Sequence, residues 1–222
     1  MDDFAVARTK MVDSQLRTEG VTDYDVLAVM GRVPREQFVP PSQKALAYLD
    51  TDIPIKGADS EPPRYLMEAA PFARLLQLAE IDKTDVVLAI GAGTGYSAAV
   101  IAGLANFVVA LESDVQLAAQ ASDNLAALGI DNAKVVSGPL AAGFPSEGPY
   151  DAIFVDGAVE VLPAALFGQL KEGGRLVAVV GYGRAAAATV YTKSDQQIGR
   201  RAAFNADVRP LPGFRKPEAF VF

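Results

Sequence analysis

A glycine-rich loop placed directly after a short apolar run is the feature that most constrains this fold. The run from Val86 to Ile90 is followed at once by Gly91-Ala92-Gly93-Thr94-Gly95. The run has the length and the β-branched content of a buried strand. Glycines adopt positive φ angles and let a ligand approach the backbone. We therefore predict a ligand site at the carboxyl end of the first parallel strand of an open α/β sheet.

Beyond residue 85, β-rich runs alternate with alanine-rich segments of helix length, which indicates βαβ units and a parallel sheet. The predicted strands are Val86 to Ile90, Phe107 to Leu111, Ala133 to Ser137, Ala152 to Val155 and Leu176 to Val180. The predicted helices are Gly95 to Gly103, Asp114 to Leu128 and Glu160 to Leu170, the last stopped by Gly173-Gly174. Late β-like runs at Ala188 to Thr192 and Ala219 to Phe222 predict an antiparallel pair at the end of the sheet.

The first 80 residues have a different pattern. Apolar spacing predicts helices at Val12 to Glu19 and Tyr24 to Gly31, and helical composition returns at Leu66 to Ala79. Six prolines between residues 34 and 63 predict turns and extended backbone in the intervening segment. We expect one compact domain, in which a helical and substrate-loop region (1–80) packs on a core (81–222).

The composition excludes much enzyme chemistry. The 222 residues include no cysteine and no histidine, which excludes Ser-His-Asp hydrolases, cysteine proteases and zinc hydrolases. A net charge of -7 repels phosphate backbones, and no apolar run approaches the roughly 18 to 20 residues that cross a bilayer. The acidic start lacks the features of a secretory leader. We expect a soluble, cytoplasmic monomer with no nucleic-acid, membrane or metal partner.

Glu112, at the end of the second predicted strand, indicates which kind of ligand the glycine loop binds. A glycine loop by itself can be only a tight strand-to-helix turn, but an acid roughly 20 positions beyond it suits the two hydroxyls of a ribose. Dinucleotide sites favour G-x-G-x-x-G, and Tyr96 stands at the third glycine position. S-adenosylmethionine (SAM) fits better, because it offers a ribose for Glu112 and a carboxylate for the exposed loop N–H groups.

Several segments resemble the protein-L-isoaspartate O-methyltransferases, SAM-dependent repair enzymes that esterify isoaspartyl carboxylates in damaged proteins. These segments are Met11 to Arg17, Val26 to Met30 with Arg32 to Pro40, Ala47-Tyr48 with Ile53 to Ile55, Leu88 to Tyr96, Pro149 to Ile153 and Leu170 to Val177. The resemblance implies a Rossmann-like methyltransferase fold: a mostly parallel twisted sheet with an antiparallel last strand, helices on both faces and an N-terminal helical extension. It also implies SAM as cofactor, S-adenosylhomocysteine (SAH) as product and an isoaspartyl protein or peptide as partner.

The loop, the acid and the resemblance together predict a set of cofactor-binding residues. They are Ile90, Gly91, Ala92, Gly93, Gly95, Glu112, Pro139 and Leu140. The family often places an acid near the adenine after its third strand, where this chain has Pro139. We therefore expect backbone and apolar contacts to the adenine.

The acceptor side departs from the family, whose substrate segment carries a hydroxyl beside the transferring methyl. Without gaps, that position falls at Met67 when counted back from Gly91, or at Pro63 when counted forward from Gly57. Matching the family's Ser-x-Pro to residues 60–62 instead assigns the hydroxyl to Ser60, for which an ordinary turn serine is the alternative.

Asp156, after the fourth predicted strand, is the second predicted catalytic residue. We expect it either to orient the acceptor or to be a helix-cap or loop aspartate of the segment that follows. Arg64, Tyr65 and Arg74 are candidates for an acceptor cleft, with surface or packing roles as the alternative.

Methyl transfer from a sulfonium needs alignment and a desolvated path rather than a strong base. A carboxylate, with a pKa of about 4, is already ionised at neutral pH, so a chain without histidine is able to methylate it. Two alternatives remain open: a SAM-dependent methyltransferase with a different acceptor, and a SAM- or SAH-binding protein without catalysis.

Overall fold

A seven-stranded sheet forms the centre of the structure, a computed structural model that describes residues 3–56 and 63–216. The strands are β1 (Ile53–Pro54), β2 (Tyr65–Leu66), β3 (Val86–Ile90), β4 (Phe107–Glu112), β5 (Ala133–Ser137), β6 (Tyr150–Val159), β7 (Leu170–Val180), β8 (Ala187–Ser194) and β9 (Gln197–Asn205). β1 and β2 pair separately, and the sheet has the order β5-β4-β3-β6-β7-β8-β9. β3 to β7 are parallel, whereas β8 is antiparallel to both β7 and β9.

Six α-helices accompany these strands in the described parts of the chain. They are α1 (Asp3–Met11), α2 (Tyr24–Met30), α3 (Ala69–Ala79), α4 (Tyr96–Ala102), α5 (Val115–Ala127) and α6 (Ala164–Gly168). The side chains of Asp23 and Asp114 each accept two backbone N–H groups at the starts of α2 and α5, which stabilises those helix ends. No helix among the described residues is long and apolar enough to span a membrane.

Both faces of the central strands β3, β4 and β6 are buried, which explains why these strands are apolar along most of their length rather than alternating. One face packs on α3, α4, α5 and the N-terminal helices. The other packs on α6, on a short helical turn at Leu140–Ala142 and on Leu211 and Phe214 from the segment after β9. Each large apolar side chain buried in this way contributes about 1.5–3 kcal/mol.

The N-terminal region is fixed against the glycine loop by buried polar contacts. Arg35 is fully buried, donates to Ala47 O at 2.8 Å and to Met67 O, and lies 4.9 Å from the centre of the Tyr96 ring. Thr94, inside the glycine loop, donates its hydroxyl to Phe38 O at 2.5 Å. The N-terminal residues therefore help to position the loop.

The first three strands of the parallel core agree with the sequence-based predictions, whereas β6 and β7 are longer than the strands predicted at Ala152 to Val155 and Leu176 to Val180. β3 and β5 have the predicted bounds, and β4 extends one residue further to include Glu112. α4 and α5 lie within one residue of their predicted limits. The expected antiparallel end of the sheet is confirmed by β8 and β9.

The helix predicted at Glu160 to Leu170 is present but shorter than expected, and its stop signal is wrong. β6 continues to Val159, α6 covers only Ala164–Gly168, and β7 begins at Leu170. Gly173-Gly174 do not stop a helix, because they lie in a bulge where the β6–β7 register jumps from Tyr150↔Leu170 to Ala152↔Arg175. A Cβ on Gly174 would lie 2.9 Å from Lys171 O, so the glycine permits the bulge.

Three further boundaries differ from the predictions. α1 precedes the helix expected at Val12 to Glu19, where the structure has a π-helical turn at Val12–Leu16. Leu66 lies in β2, and α3 begins only at Ala69. The second strand of the antiparallel end is β9; the strand predicted at residues 219–222 lies outside the described residues.

Candidate active site

The glycine loop lies where the strand order reverses. From β3 the chain runs to β4 and β5 on one side and returns to β6 and β7 on the other, which places the loop in the crevice where open α/β sheets bind ligands. Gly91, Gly93 and Gly95 have φ angles of 87°, 55° and 96°. This conformation costs glycine little and other residues about 1–2 kcal/mol each.

Hydrogen bonds hold the loop on the neighbouring strand. Gly91 N and Ala92 N both donate to Leu111 O, at 2.9 and 3.1 Å, and Gly95 N donates to Ala92 O at 2.8 Å. Ile90, the last residue of β3, is fully buried just before the loop. The loop therefore has a fixed position relative to the end of β4.

Glu112, the last residue of β4, points into the loop. It is fully buried and accepts hydrogen bonds from Gly93 N at 2.8 Å, Ser113 N at 2.7 Å and Asp114 N at 2.9 Å. The predicted acid and the glycine loop thus form one site. Both oxygens of Glu112 also pair with a guanidinium, that of Arg64.

Arg64, one of the acceptor-cleft candidates, belongs to this site through a pairing with Glu112 that the sequence did not predict. Its side chain is 4% exposed, and its Nη2 lies 2.7 Å from Glu112 Oε2 and 3.2 Å from Gly91 O. The surface or packing role held as its alternative does not describe this position. The pairing joins residues 48 positions apart, and no local pattern indicates it.

The two other acceptor-cleft candidates, Tyr65 and Arg74, lie in different parts of the structure. Tyr65 is half-buried and has the guanidinium of Arg209 4.9 Å from its ring centre. Arg74 instead packs 3.8 Å from the Phe204 ring, near a surface cleft formed with Glu19 and Gln77. Arg74 therefore does not belong to this site.

Two apolar side chains cover the loop. A Cβ on Gly91 would lie 2.8 Å from the side chain of Leu211, and one on Gly93 would lie 2.7 Å from Ile55. Ile55 comes from the segment after β1, and Leu211 from the segment after β9. Distant parts of the chain therefore close over the glycines.

The residues predicted to contact an adenine lie beside Glu112. β5 pairs with β4 in a register that places Ser137 opposite Glu112, and Gly138 N donates to Glu112 O at 3.0 Å. Pro139 is exposed and Leu140 is buried where the following helical turn begins. The structure brings both residues to the same sheet edge as the glycine loop.

Asp156 lies inside β6 rather than after it. The β6–β7 register shifts between Phe154 and Ala158, so Asp156 and Gly157 form a bulge. The helix-cap alternative is wrong, because α6 starts at Ala164 after Pro163. Asp156 borders a cavity of about 10 Å³ together with Arg64, Tyr65 and Met67. Ser60, the other predicted catalytic residue, lies outside the described residues.

Two carboxyl groups near this cavity have raised pKa values. Burial raises the pKa of Asp156 from 3.8 to about 6, and Ser97 and the guanidinium of Arg64 partly oppose the shift. Burial, followed by the neighbouring carboxylates of Asp50 and Asp52, raises the pKa of Glu68 to about 7. Both groups therefore titrate closer to neutral pH than exposed carboxylates.

Asp156→Asn is expected to reduce the pH dependence of stability between about pH 4 and pH 6. Because the folded-state pKa of about 6 exceeds the ordinary value of 3.8, the folded chain binds more protons than the unfolded chain in this window. The free energy of unfolding therefore falls as the pH rises, by up to about 3 kcal/mol. Asparagine removes this contribution, while that of Glu68 remains. Urea unfolding at several pH values measures how the free energy of unfolding changes with pH in the wild type and in Asp156→Asn. Equal slopes in the two proteins would contradict the raised pKa of Asp156.

The chain matches the family model described as protein-L-isoaspartate(D-aspartate) O-methyltransferase over residues 7–209. It is 38% identical to a protein-L-isoaspartate O-methyltransferase of Koribacter versatilis, over 95% of this chain and 92% of that protein. It is 43% identical to one of Methanoregula boonei, over 80% and 79% of the two chains.

Two solved structures share the fold. A protein-L-isoaspartate O-methyltransferase superposes with a TM-score of 0.79 and 28% identity, covering 93% of this chain and 66% of that chain. A second one, from Plasmodium falciparum and in complex with SAH, gives a TM-score of 0.76 at 21% identity, covering 91% and 96%. The Rossmann-like methyltransferase fold is thereby confirmed, and the chain belongs to the protein-L-isoaspartate O-methyltransferase family.

Proposed function

We propose that this chain binds SAM across the carboxyl edge of its sheet and transfers the methyl group to isoaspartyl carboxylates of damaged proteins. The observation that carries the proposal is the 2.8 Å hydrogen bond from Gly93 N to the Glu112 carboxylate. This bond places an acid suited to a ribose in direct contact with a loop suited to a charged, polar tail.

The residues at this edge fit SAM. Glu112 would hold the ribose hydroxyls, the loop from Gly91 to Gly95 would hold the amino-acid part, and Pro139 with Leu140 would face the adenine. Bound SAM supplies an electrophilic methyl group on a sulfonium. Arg64 has to leave Glu112 for the ribose to bind, because its guanidinium now occupies both carboxylate oxygens.

The chain's own contribution is to align the acceptor and to exclude water. An acceptor carboxylate is ionised at neutral pH and attacks without a general base, which suits a site whose titratable groups include no histidine. Asp156 and Met67 border the small cavity next to Arg64. We assign Asp156 to orienting the acceptor peptide there.

Transfer of a labelled methyl group tests this function. The purified chain is incubated with methyl-labelled SAM and an isoaspartyl peptide, and the same peptide with normal aspartate serves as the matched control. We expect base-labile methyl ester on the isoaspartyl peptide alone. Equal labelling of both peptides, or of neither, would contradict isoaspartyl specificity.

One observation favours a second candidate, a SAM-dependent methyltransferase with another acceptor. The gap-free match places Met67 where the family has a hydroxyl, and the buried Met67 side chain borders the cavity beside Asp156. A thioether cannot donate the hydrogen bond that a hydroxyl provides. Base-stable methyl incorporation into a cell extract, with no ester on the isoaspartyl peptide, would support this candidate.

A further inference from the structure

The pairing of Arg64 with Glu112 places a cation where the proposed function needs a ribose. Arg64 directly precedes β2, and its backbone carbonyl accepts hydrogen bonds from Ile55 N at 3.0 Å and Lys56 N at 3.4 Å. Its guanidinium contacts both oxygens of Glu112, and Nη2 also reaches Gly91 O at 3.2 Å. The guanidinium therefore bridges the acid and the glycine loop.

Glu112 has no capacity left for a sugar while Arg64 is bound. A carboxylate offers about four lone-pair positions, and three backbone N–H groups, of Gly93, Ser113 and Asp114, already donate to Glu112. With the two guanidinium N–H groups and the Ser113 hydroxyl at 3.3 Å, Glu112 accepts six hydrogen bonds, which is more than these roughly four positions. The backbone donors belong to the loop and to the strand end, whereas Arg64 comes from a separate segment. Ribose hydroxyls and Arg64 therefore exclude each other at Glu112.

A displaced Arg64 needs another anion, because a buried, unpaired guanidinium is strongly unfavourable. The cavity it borders is also lined by Asp52, Asp156 and Arg209. Asp52 is engaged already, since it accepts from Glu68 N at 3.0 Å and pairs with Arg209 Nε at 3.2 Å. Burial raises the pKa of Asp156 to about 6; this carboxyl is mostly ionised at neutral pH, but its charged form is less favourable than that of an exposed aspartate, so it balances Arg64 only in part.

An acceptor carboxylate that reaches the mouth of this cavity, which itself has room for only about one water, lies near Asp52 and Asp156 and needs a cation. Arg209 is held by Asp52 and by the Tyr65 ring, whereas cofactor binding releases Arg64. We propose that Arg64 binds the acceptor carboxylate once the ribose of SAM has replaced it on Glu112. The inference rests on the proposed function and adds the residue that recognises the charge of the acceptor.

Two consequences follow for the reaction. The cofactor has to bind first, because Arg64 is free for the acceptor only after it has left Glu112. In the transfer, a carboxylate oxygen bonds to the methyl carbon, the sulfur–methyl bond breaks and its electron pair stays on sulfur. The acceptor becomes a neutral ester, loses its attraction for Arg64 and is released. Arg64 then returns to Glu112 after SAH has left.

Arg64→Gln tests the inference, with Arg64→Lys as a variant that keeps the charge and Lys56→Gln as the matched control. Lys56 comes from the same segment and pairs with Asp114, so its removal breaks a neighbouring ion pair without touching Glu112. Calorimetry with SAH measures cofactor affinity, steady-state kinetics measures KM for the isoaspartyl peptide, and thermal unfolding verifies that each variant is folded.

We expect Arg64→Gln to bind SAH about tenfold more tightly than the wild type, because the pairing of Arg64 with Glu112 no longer competes with the ribose. We expect its KM for the isoaspartyl peptide to rise about tenfold, with partial recovery in Arg64→Lys. Lys56→Gln is expected to keep the wild-type SAH affinity. In the wild type, the peptide is expected to bind in the presence of SAH and not in its absence.

The outcomes separate this inference from the proposed function. If the wild type binds SAH and methylates the peptide, but Arg64→Gln binds SAH no more tightly, competition at Glu112 is wrong. An unchanged KM in Arg64→Gln overturns acceptor recognition by Arg64. If Arg64→Gln does not fold, the same two comparisons are made with Arg64→Lys, for which intermediate values are expected. A wild type that binds no SAH overturns both the inference and the proposed function.

Discussion

Glu112→Ala is expected to lower the free energy of unfolding by about 3–5 kcal/mol and to weaken SAH binding by about 1–3 kcal/mol. The loss of stability arises because the buried Arg64 guanidinium keeps no carboxylate partner, the costly way to break a buried ion pair. The loss of affinity arises because two ribose hydroxyls lose their acceptor. Urea unfolding and calorimetry with SAH measure the two effects separately.

A double variant separates the structural role of Glu112 from its binding role. In Glu112→Ala with Arg64→Met, neither buried charge remains, so we expect much of the lost stability to return. SAH affinity is expected to stay low, since the ribose acceptor is still absent. Wild-type SAH affinity in either variant would remove Glu112 from the cofactor site.

Gly95→Ala is expected to destabilise the chain by about 2–4 kcal/mol and to weaken SAH binding. The residue has a φ of 96°, which costs alanine about 1–2 kcal/mol. A Cβ there would also lie 3.1 to 3.3 Å from the Cβ, Cα and carbonyl oxygen of Ala121 in α5, so backbone rather than a flexible side chain has to move. Denaturant unfolding and calorimetry with SAH are the measurements.

Gly129→Ala is the matched control for this variant. Gly129 has a φ of 65°, and a Cβ there would meet nothing within 4 Å. It therefore isolates the backbone cost, about 1–2 kcal/mol, and is expected to leave SAH binding unchanged. If both variants lose the same stability and keep the same affinity, the contact between the loop and α5 does not position the site.

The parallel core could be predicted because its signals are local. A buried strand such as Val86–Ile90 is a continuous apolar run bounded by turn residues, and the helices that follow have start signals such as Asp114. The same reasoning overestimated the helix between residues 160 and 170, where irregular backbone after β6 precedes the short α6 and β7 already begins at Leu170. Bulges in β6 and β7 absorb the extra residues there, and no periodic pattern reports them.

One half of the candidate site, the glycine loop with Glu112, could be predicted from the sequence. The glycine loop and Glu112 are signalled by residue type and spacing, and the structure brings them within hydrogen-bond distance. The contacts of Arg64, Ile55 and Leu211 with the loop could not be predicted, because each residue reaches the loop across a long sequence separation. Their positions depend on how the segments outside the sheet fold back over it.

The cover of the crevice has a consequence for the newly made chain. Leu211 lies against Gly91, and it is held there by the hydrogen bond from Leu211 N to Ala158 O at 2.9 Å. Because residue 211 follows β9 in the chain, the ribosome adds this side chain after every strand of the seven-stranded sheet. A nascent chain that still lacks residue 211 therefore leaves Gly91 uncovered.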